Sequence, residues 1–177
     1  MVKIFISGLL AIRFVIFQPV LVSAQANPSA IKSAAIAMGN ALVKKNSEQF
    51  LSYMHPSMIK LAGGKDKLKV ISDSALKAFE QFGGKVSRIT YGNPAEIISY
   101  KKTLQSVISQ TTILSSFIGD AELSSSLIAI SNDSGKSWTF IDTNMFGIKE
   151  IKTAMPDISP ALVIPKSAPP KIVMKDQ

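Results

Sequence analysis

The stretch Leu123 to Asp142 (LSSSLIAISNDSGKSWTFID) constrains this chain more than any other. Apolar Leu127, Ile128 and Ile130 lead into a polar segment, and Trp138, Phe140 and Ile141 lead out of it. Asn132, Asp133, Ser134 and Gly135 between two apolar runs specify a tight turn. Short polar side chains bond the local backbone there, and glycine accepts a positive φ. The stretch therefore reads as two antiparallel strands. By the strand period of two, Trp138, Phe140 and Asp142 share one face.

Upstream, the pattern is helical. From Pro28 to Lys45, Ile31, Ala34, Ala35, Met38, Ala41 and Leu42 fall on the stripe of an amphipathic helix, with Ser29 as its expected N-cap. Ser47 is the expected cap of a shorter helix, Glu48–Met54, which His55-Pro56 breaks because the residue before proline is pushed out of the α region. A further turn, Ser57–Leu61, leads to Gly63-Gly64. Leu68, Ile71, Ala75, Phe79 and Phe82 then trace one face of a fourth helix, which Gly83-Gly84 stops.

After Lys85 the chain reads as strands. Val86–Tyr91 is followed by the turn Gly92-Asn93-Pro94, then by Ala95–Tyr100 with Lys101-Lys102 as a hairpin tip. Leu104–Phe117 alternates imperfectly, which predicts a bulge or curvature within it, and Gly119-Asp120 turns it into the opening strand pair. The fold class is thus α+β: N-terminal helices and an antiparallel meander of about five strands. Beyond it, Ile148–Met155 reads as a short helix stopped by Pro156, and Ser159–Pro165 as an extended strap. The single domain is expected over residues 27–165, with a mobile tail at 166–177.

The first 26 residues read as a signal peptide. An apolar run, interrupted by Arg13 and resumed over Phe14–Val22, ends in Ser23-Ala24-Gln25-Ala26, and Ala-x-Ala is a cleavage signature. The expected location is periplasmic or secreted, with no stable membrane insertion after cleavage. The chain has no cysteine, which excludes a disulfide framework, a thiolate metal site and a lipidated export signal. Loss of Lys3 and Arg13 takes the formal charge from +8 to +6. The lysines are scattered rather than massed on one face, so nucleic acid is not an expected partner. With one histidine and dispersed acids, neither a metal site nor a cofactor site is expected.

Ser131–Trp138 (SNDSGKSW) matches S-x-D-x-G-x-[ST]-W and resembles the Asp-box, a hairpin turn that recurs in sialidase-type propellers. A propeller repeats its turn in successive four-stranded blades; here the motif occurs once, so it reads as a structural turn. The order of elements from Ile31 to Asp142, helices first and then a curved meander, resembles the nuclear transport factor 2-like fold. The phrases AIAMGNALVKKNSEQFLSYMHPSMIKLAGGKDKL and LIAISNDSGKSWTFIDT resemble small exported bacterial proteins of that type. The resemblance implies a cone with helices across the concave face of a bent sheet. Such a cone holds either an active site or a plain binding pocket, and the fold does not choose between them.

Two functional classes follow. The first is a non-enzymatic exported domain whose pocket or sheet face takes a small apolar ligand or a protein partner, a second copy included; Tyr91, Trp138 and Phe140 are its candidate contacts. The alternative is a small-molecule isomerase, dehydratase or hydrolase using His55, Tyr53 and Asp142. His55 is either a general acid/base at the cone mouth or a helix-end residue ordering the bend before Pro56, and its place beside proline favours the second. Tyr53 is either an oxyanion donor or core packing with its hydroxyl at the rim. Asp142 is either a carboxylate facing inward or the solvated end of a strand, and the strand-end position favours solvent. Asp73, which with Tyr91 and Asp142 offers the residue types of a ketosteroid isomerase site, alternates off its helix's apolar face and is expected in solvent.

Overall fold

Prolines and short polar side chains decide where the helices begin. The computed structural model describes residues 27–174; the signal-peptide reading of 1–26 falls outside the described residues, as do 175–177. Helix α1 (Pro28–Val43) is capped by Asn27, whose Oδ1 accepts the Ser29 N–H at 3.0 Å. The expected cap, Ser29, is instead inside the first turn, because Pro28 has its φ preset for the first helical position. Helix α2 (Ser47–Ser52) is also capped early, by Asn46 in place of Ser47; the Asn46 Oδ1 accepts the Gln49 N–H at 3.0 Å. Helix α3 (Pro56–Leu61) starts on proline behind His55.

Helix α4 (Lys65–Gln81) forms where its periodicity predicts, and Gly83 beyond it has a φ of 69°. Its burial differs from the expectation. Leu68 is buried, with Leu76 and Phe79 half-buried, but Ile71, Ala75 and Phe82 are exposed. The helix sits at the periphery, tied to α2 by polar contacts: Glu48 to Lys65, and Ser47 to Asp73. It rotates towards those contacts and leaves part of its apolar stripe in water.

Among the described residues the sheet is open and antiparallel, with six strands rather than about five. They are β1 (Lys85–Tyr91), β2 (Ile98–Tyr100), β3 (Thr103–Ser115), β4 (Gly119–Ser131), β5 (Thr139–Asp142) and β6 (Lys171–Met174). The sixth lies in the stretch read as a tail: Lys171–Met174 pairs with Gly119–Glu122, an edge of β4 that β5 leaves uncovered. β1 and β2 share the opposite edge of β3 in the same way. The sheet is therefore four lanes wide, each outer lane built from two short strands end to end.

Pairing of β3 with β4 runs without interruption from Leu104↔Ser131 to Ser115↔Asp120, so a bulge is absent from β3. It is in β1, where Val86 and Arg88 face consecutive partners Leu114 and Ile113 and Ser87 is the extra residue. The bulge lets Val86, Ile89 and Tyr91 all point to the face that α1 covers.

That face carries Ile108, Leu127, Ala129 and Phe140 into the core with Ile31, Ala35 and Met38 of α1 and Phe50, Leu51 and Met54 from the α2 region. The other face, with Val107, Ile128, Ile130 and Ile141, is covered by α5 (Ile148–Ala154) and the strap after it. Gln105, fully buried, anchors that strap: its Nε2 donates to the Asp157 carbonyl at 2.7 Å and its Oε1 accepts the Ser159 N–H at 2.9 Å. Among the described residues no helix is long and apolar enough to cross a membrane.

Candidate functional site

Strand register brings four residues distant in sequence to one place. Tyr91 on β1 pairs with Gln110 on β3, which pairs with Ser125 on β4. Asp142, opposite Leu127, ends β5 one step along the same face. Above them α1 contributes Met38, Gly39 and Leu42, and Phe50 and Met54 follow from α2 and its end. With Tyr91, Gln110 and Asp142, and with Phe140, Thr112, Ile89 and Met145, they line a cavity of about 100 Å³; Ser125 stands behind Gln110. Met145, 45% exposed, stands at its rim.

Asp142 therefore faces the helices and not solvent, contrary to the sequence expectation. The strand period puts it on the side of Phe140, and Phe140 is core. Its Oδ2 accepts from Gln110 Nε2 at 3.0 Å and its Oδ1 from the Asn144 N–H at 2.8 Å. Gln110 Nε2 also donates to Ser125 Oγ at 3.1 Å. Burial pushes the Asp142 carboxyl above its usual range, and these donors only partly offset it.

Tyr91 carries the other polar group. Its hydroxyl is buried and, among the described residues, finds no hydrogen-bond partner. A Cβ added at Gly39 would come within 2.5 Å of that oxygen, so only glycine lets the phenol lie against α1. Burial, and then the Asp142 charge, drive the Tyr91 pKa well above its ordinary value. The phenol is thus a neutral O–H beside a carboxylate, in an apolar enclosure.

The other sequence candidates are dispersed. His55 is buried, and its Nδ1 accepts the Ser57 N–H at 3.2 Å as the N-cap of α3. Burial lowers its pKa, so it is held neutral. Its backbone is part of the sheet edge: the His55 N–H donates to the Phe140 carbonyl and the Phe140 N–H to the Tyr53 carbonyl. Tyr53 lies with Trp138 along a surface groove against Ala30, Ala34 and Ser52. Trp138 is thus core beneath the turn and does not line the cavity that Tyr91 and Phe140 line; among the described residues its indole N–H has no partner. Asp73 is on the surface of α4, its pKa lowered by hydrogen bonds from Lys69 and Ser47.

Gln110 and Gly39 are the site residues that sequence reasoning passed over. Gln110 had a readable signal, since it falls on the parity of Leu104, Ile108 and Leu114 in β3. A polar side chain at a core-facing position is usually there for a hydrogen bond. Among the described residues no three acidic or histidine side chains gather as a metal site. Comparison with protein-family models, curated proteins and solved structures finds no match.

Proposed function

We propose that this chain is a non-enzymatic exported domain that binds a small, largely apolar molecule in the cavity between α1, α2 and the sheet. The observation that carries this reading is the Tyr91 hydroxyl, buried at the cavity with no partner among the described residues. Buried polar groups are nearly always satisfied, and one left open at a cavity awaits a ligand or solvent atom. Apolar walls with a few convergent polar groups are the usual composition of such a site.

The acid–base alternative needs at least two of His55, Tyr53 and Asp142 in one pocket. Asp142 is the one among them at the cavity, so binding is the preferred reading. Export rests on the Ala-x-Ala signature at Ala24 and Ala26. A nuclear transport factor 2-like cone remains the proposed fold family, supported by helices that precede the sheet and cover a cavity on one face. A partner-binding form of the proposal draws on one end of the molecule. There Phe79 lines a groove with Ile118, Ile172 and Met174, and Phe82 and Phe117, the latter with its ring by Gly83, are each 75% exposed.

Native mass spectrometry of the gently purified protein tests the main reading. The expected result is a small-molecule adduct that disappears when the rim is blocked by Met145→Trp. An adduct-free wild type whose cavity resonances stay unmoved by small organic probes would count against it.

A further inference from the structure

The cavity's polar groups also specify the head of the molecule it takes. Its unsatisfied atom is a phenol oxygen carrying one proton, which donates to an acceptor. Beside it stands Asp142, whose carboxyl takes hydrogen bonds from Gln110, Ser125 and the Asn144 and Met145 amides and acts as an acceptor in each of them. A ligand carbonyl satisfies Tyr91 but turns its lone pairs towards a carboxylate. An ammonium satisfies Asp142 but leaves the Tyr91 proton without an acceptor. A carboxylate ligand meets a like charge at short range inside an apolar enclosure, where repulsion is weakly screened. A hydroxyl accepts from Tyr91 and turns its proton, rather than a lone pair, towards the Asp142 carboxylate.

Resting on the binding reading above, we propose that the cavity takes the hydroxyl end of a small uncharged molecule, an alcohol or a phenol, and rejects organic anions. This selectivity runs against the protein's overall charge. At +6 without the signal segment, the molecule attracts anions at long range, while its cavity has a carboxylate and no cation among its lining residues. The space is about 100 Å³, smaller than the roughly 150 Å³ of an apolar cavity that holds benzene, so a ring enters head first with part of it left at the open rim. The rest of a longer ligand leaves past Met145.

Chemical-shift titration of the ¹⁵N-labelled protein with phenol, benzene and benzoate tests the assignment. Phenol is expected to bind about tenfold more tightly than benzene, one net hydrogen-bond increment, with shifts at Gly39, Gln110 and Thr143. Benzoate is expected to leave those resonances unmoved. Tyr91→Phe should bring phenol down to the benzene level, and Asp142→Asn should admit benzoate while the fold persists. Equal affinity for phenol and benzene, or benzoate binding to the wild type as tightly as phenol, overturns the hydroxyl assignment and leaves the binding reading standing. Silence from all three probes overturns both.

Discussion

The last hairpin holds an aspartate at each end, and the two are kept in opposite ways. In the turn, Asp133 is open to water yet fully engaged. Its Oδ1 accepts from Ser131 Oγ at 2.7 Å and the Ser137 N–H at 2.9 Å, and its Oδ2 accepts from Ser137 Oγ at 2.6 Å. Those bonds hold its carboxyl down to about 2. At the other end Asp142 also accepts hydrogen bonds, but the cavity around it takes water away and its pKa rises. Hydrogen-bond count does not distinguish them; solvation does. The turn uses its carboxylate for local geometry, with Ser134 and Gly135 at φ of 61° and 88°, whereas the end of the strand holds one in the wall of a cavity.

Phe140, between the two, offers the largest break in this comparison. It is 1% exposed and forms one wall of the cavity. Phe140→Ala should cost about 3–5 kcal/mol in urea unfolding. A loss below about 1 kcal/mol would mean that the core does not hold the cavity end in place. Next comes Ser131→Ala. The buried Ser131 hydroxyl accepts the Gly135 N–H at 2.9 Å while donating to Asp133. Its removal should cost about 1 kcal/mol, and should leave Asp142's titration by carboxyl ¹³C NMR unmoved. A coupled shift at Asp142 would make the two ends one unit.

The sharper tests are pH profiles. Because the Asp142 pKa is raised on folding, its stabilising share is complete below the ordinary carboxyl value and is lost as pH rises through the folded value. Urea titrations of wild type and Asp142→Asn, from about pH 4 to about pH 7, should therefore show the variant gaining on the wild type as pH rises. A constant gap contradicts a desolvated carboxyl. Asp133 has the opposite sign. Its share is present above the ordinary value and is lost as pH falls towards about 2. The smallest effect is therefore expected from Asp133→Asn: a slight deficit at neutral pH that closes as pH falls towards about 2, so that the acid limb is shallower than the wild type's. An unaltered acid limb would falsify the engaged-turn account.

Local features are legible in the amino-acid sequence. Four helices, the Lys101-Lys102 tip and the Ser131–Trp138 turn follow from periodicity, proline and glycine, because neighbours in the chain fix them. The helix caps differ by two residues and by one from the pattern reading, since Asn27 takes over from Ser29 and Asn46 from Ser47. The misplaced irregularity teaches more. Imperfect alternation in β3 comes from Gln105, Ser106 and Gln110, polar side chains satisfied inside the protein, and not from a backbone bulge. Pattern reading treats polar as outside, and tertiary hydrogen bonds reverse that.

By itself, the sequence determined that helices precede an antiparallel meander and that Trp138, Phe140 and Asp142 share a face. It did not determine whether that face meets helix or water. That choice was made by strand register, which aligns Tyr91, Gln110 and Ser125 and lays Gly39 of α1 over them. Each of those pairings joins segments far apart in the chain, so no local propensity encodes it. The same packing withdrew Asp142 from water, and a strand-end aspartate became the carboxylate of a cavity.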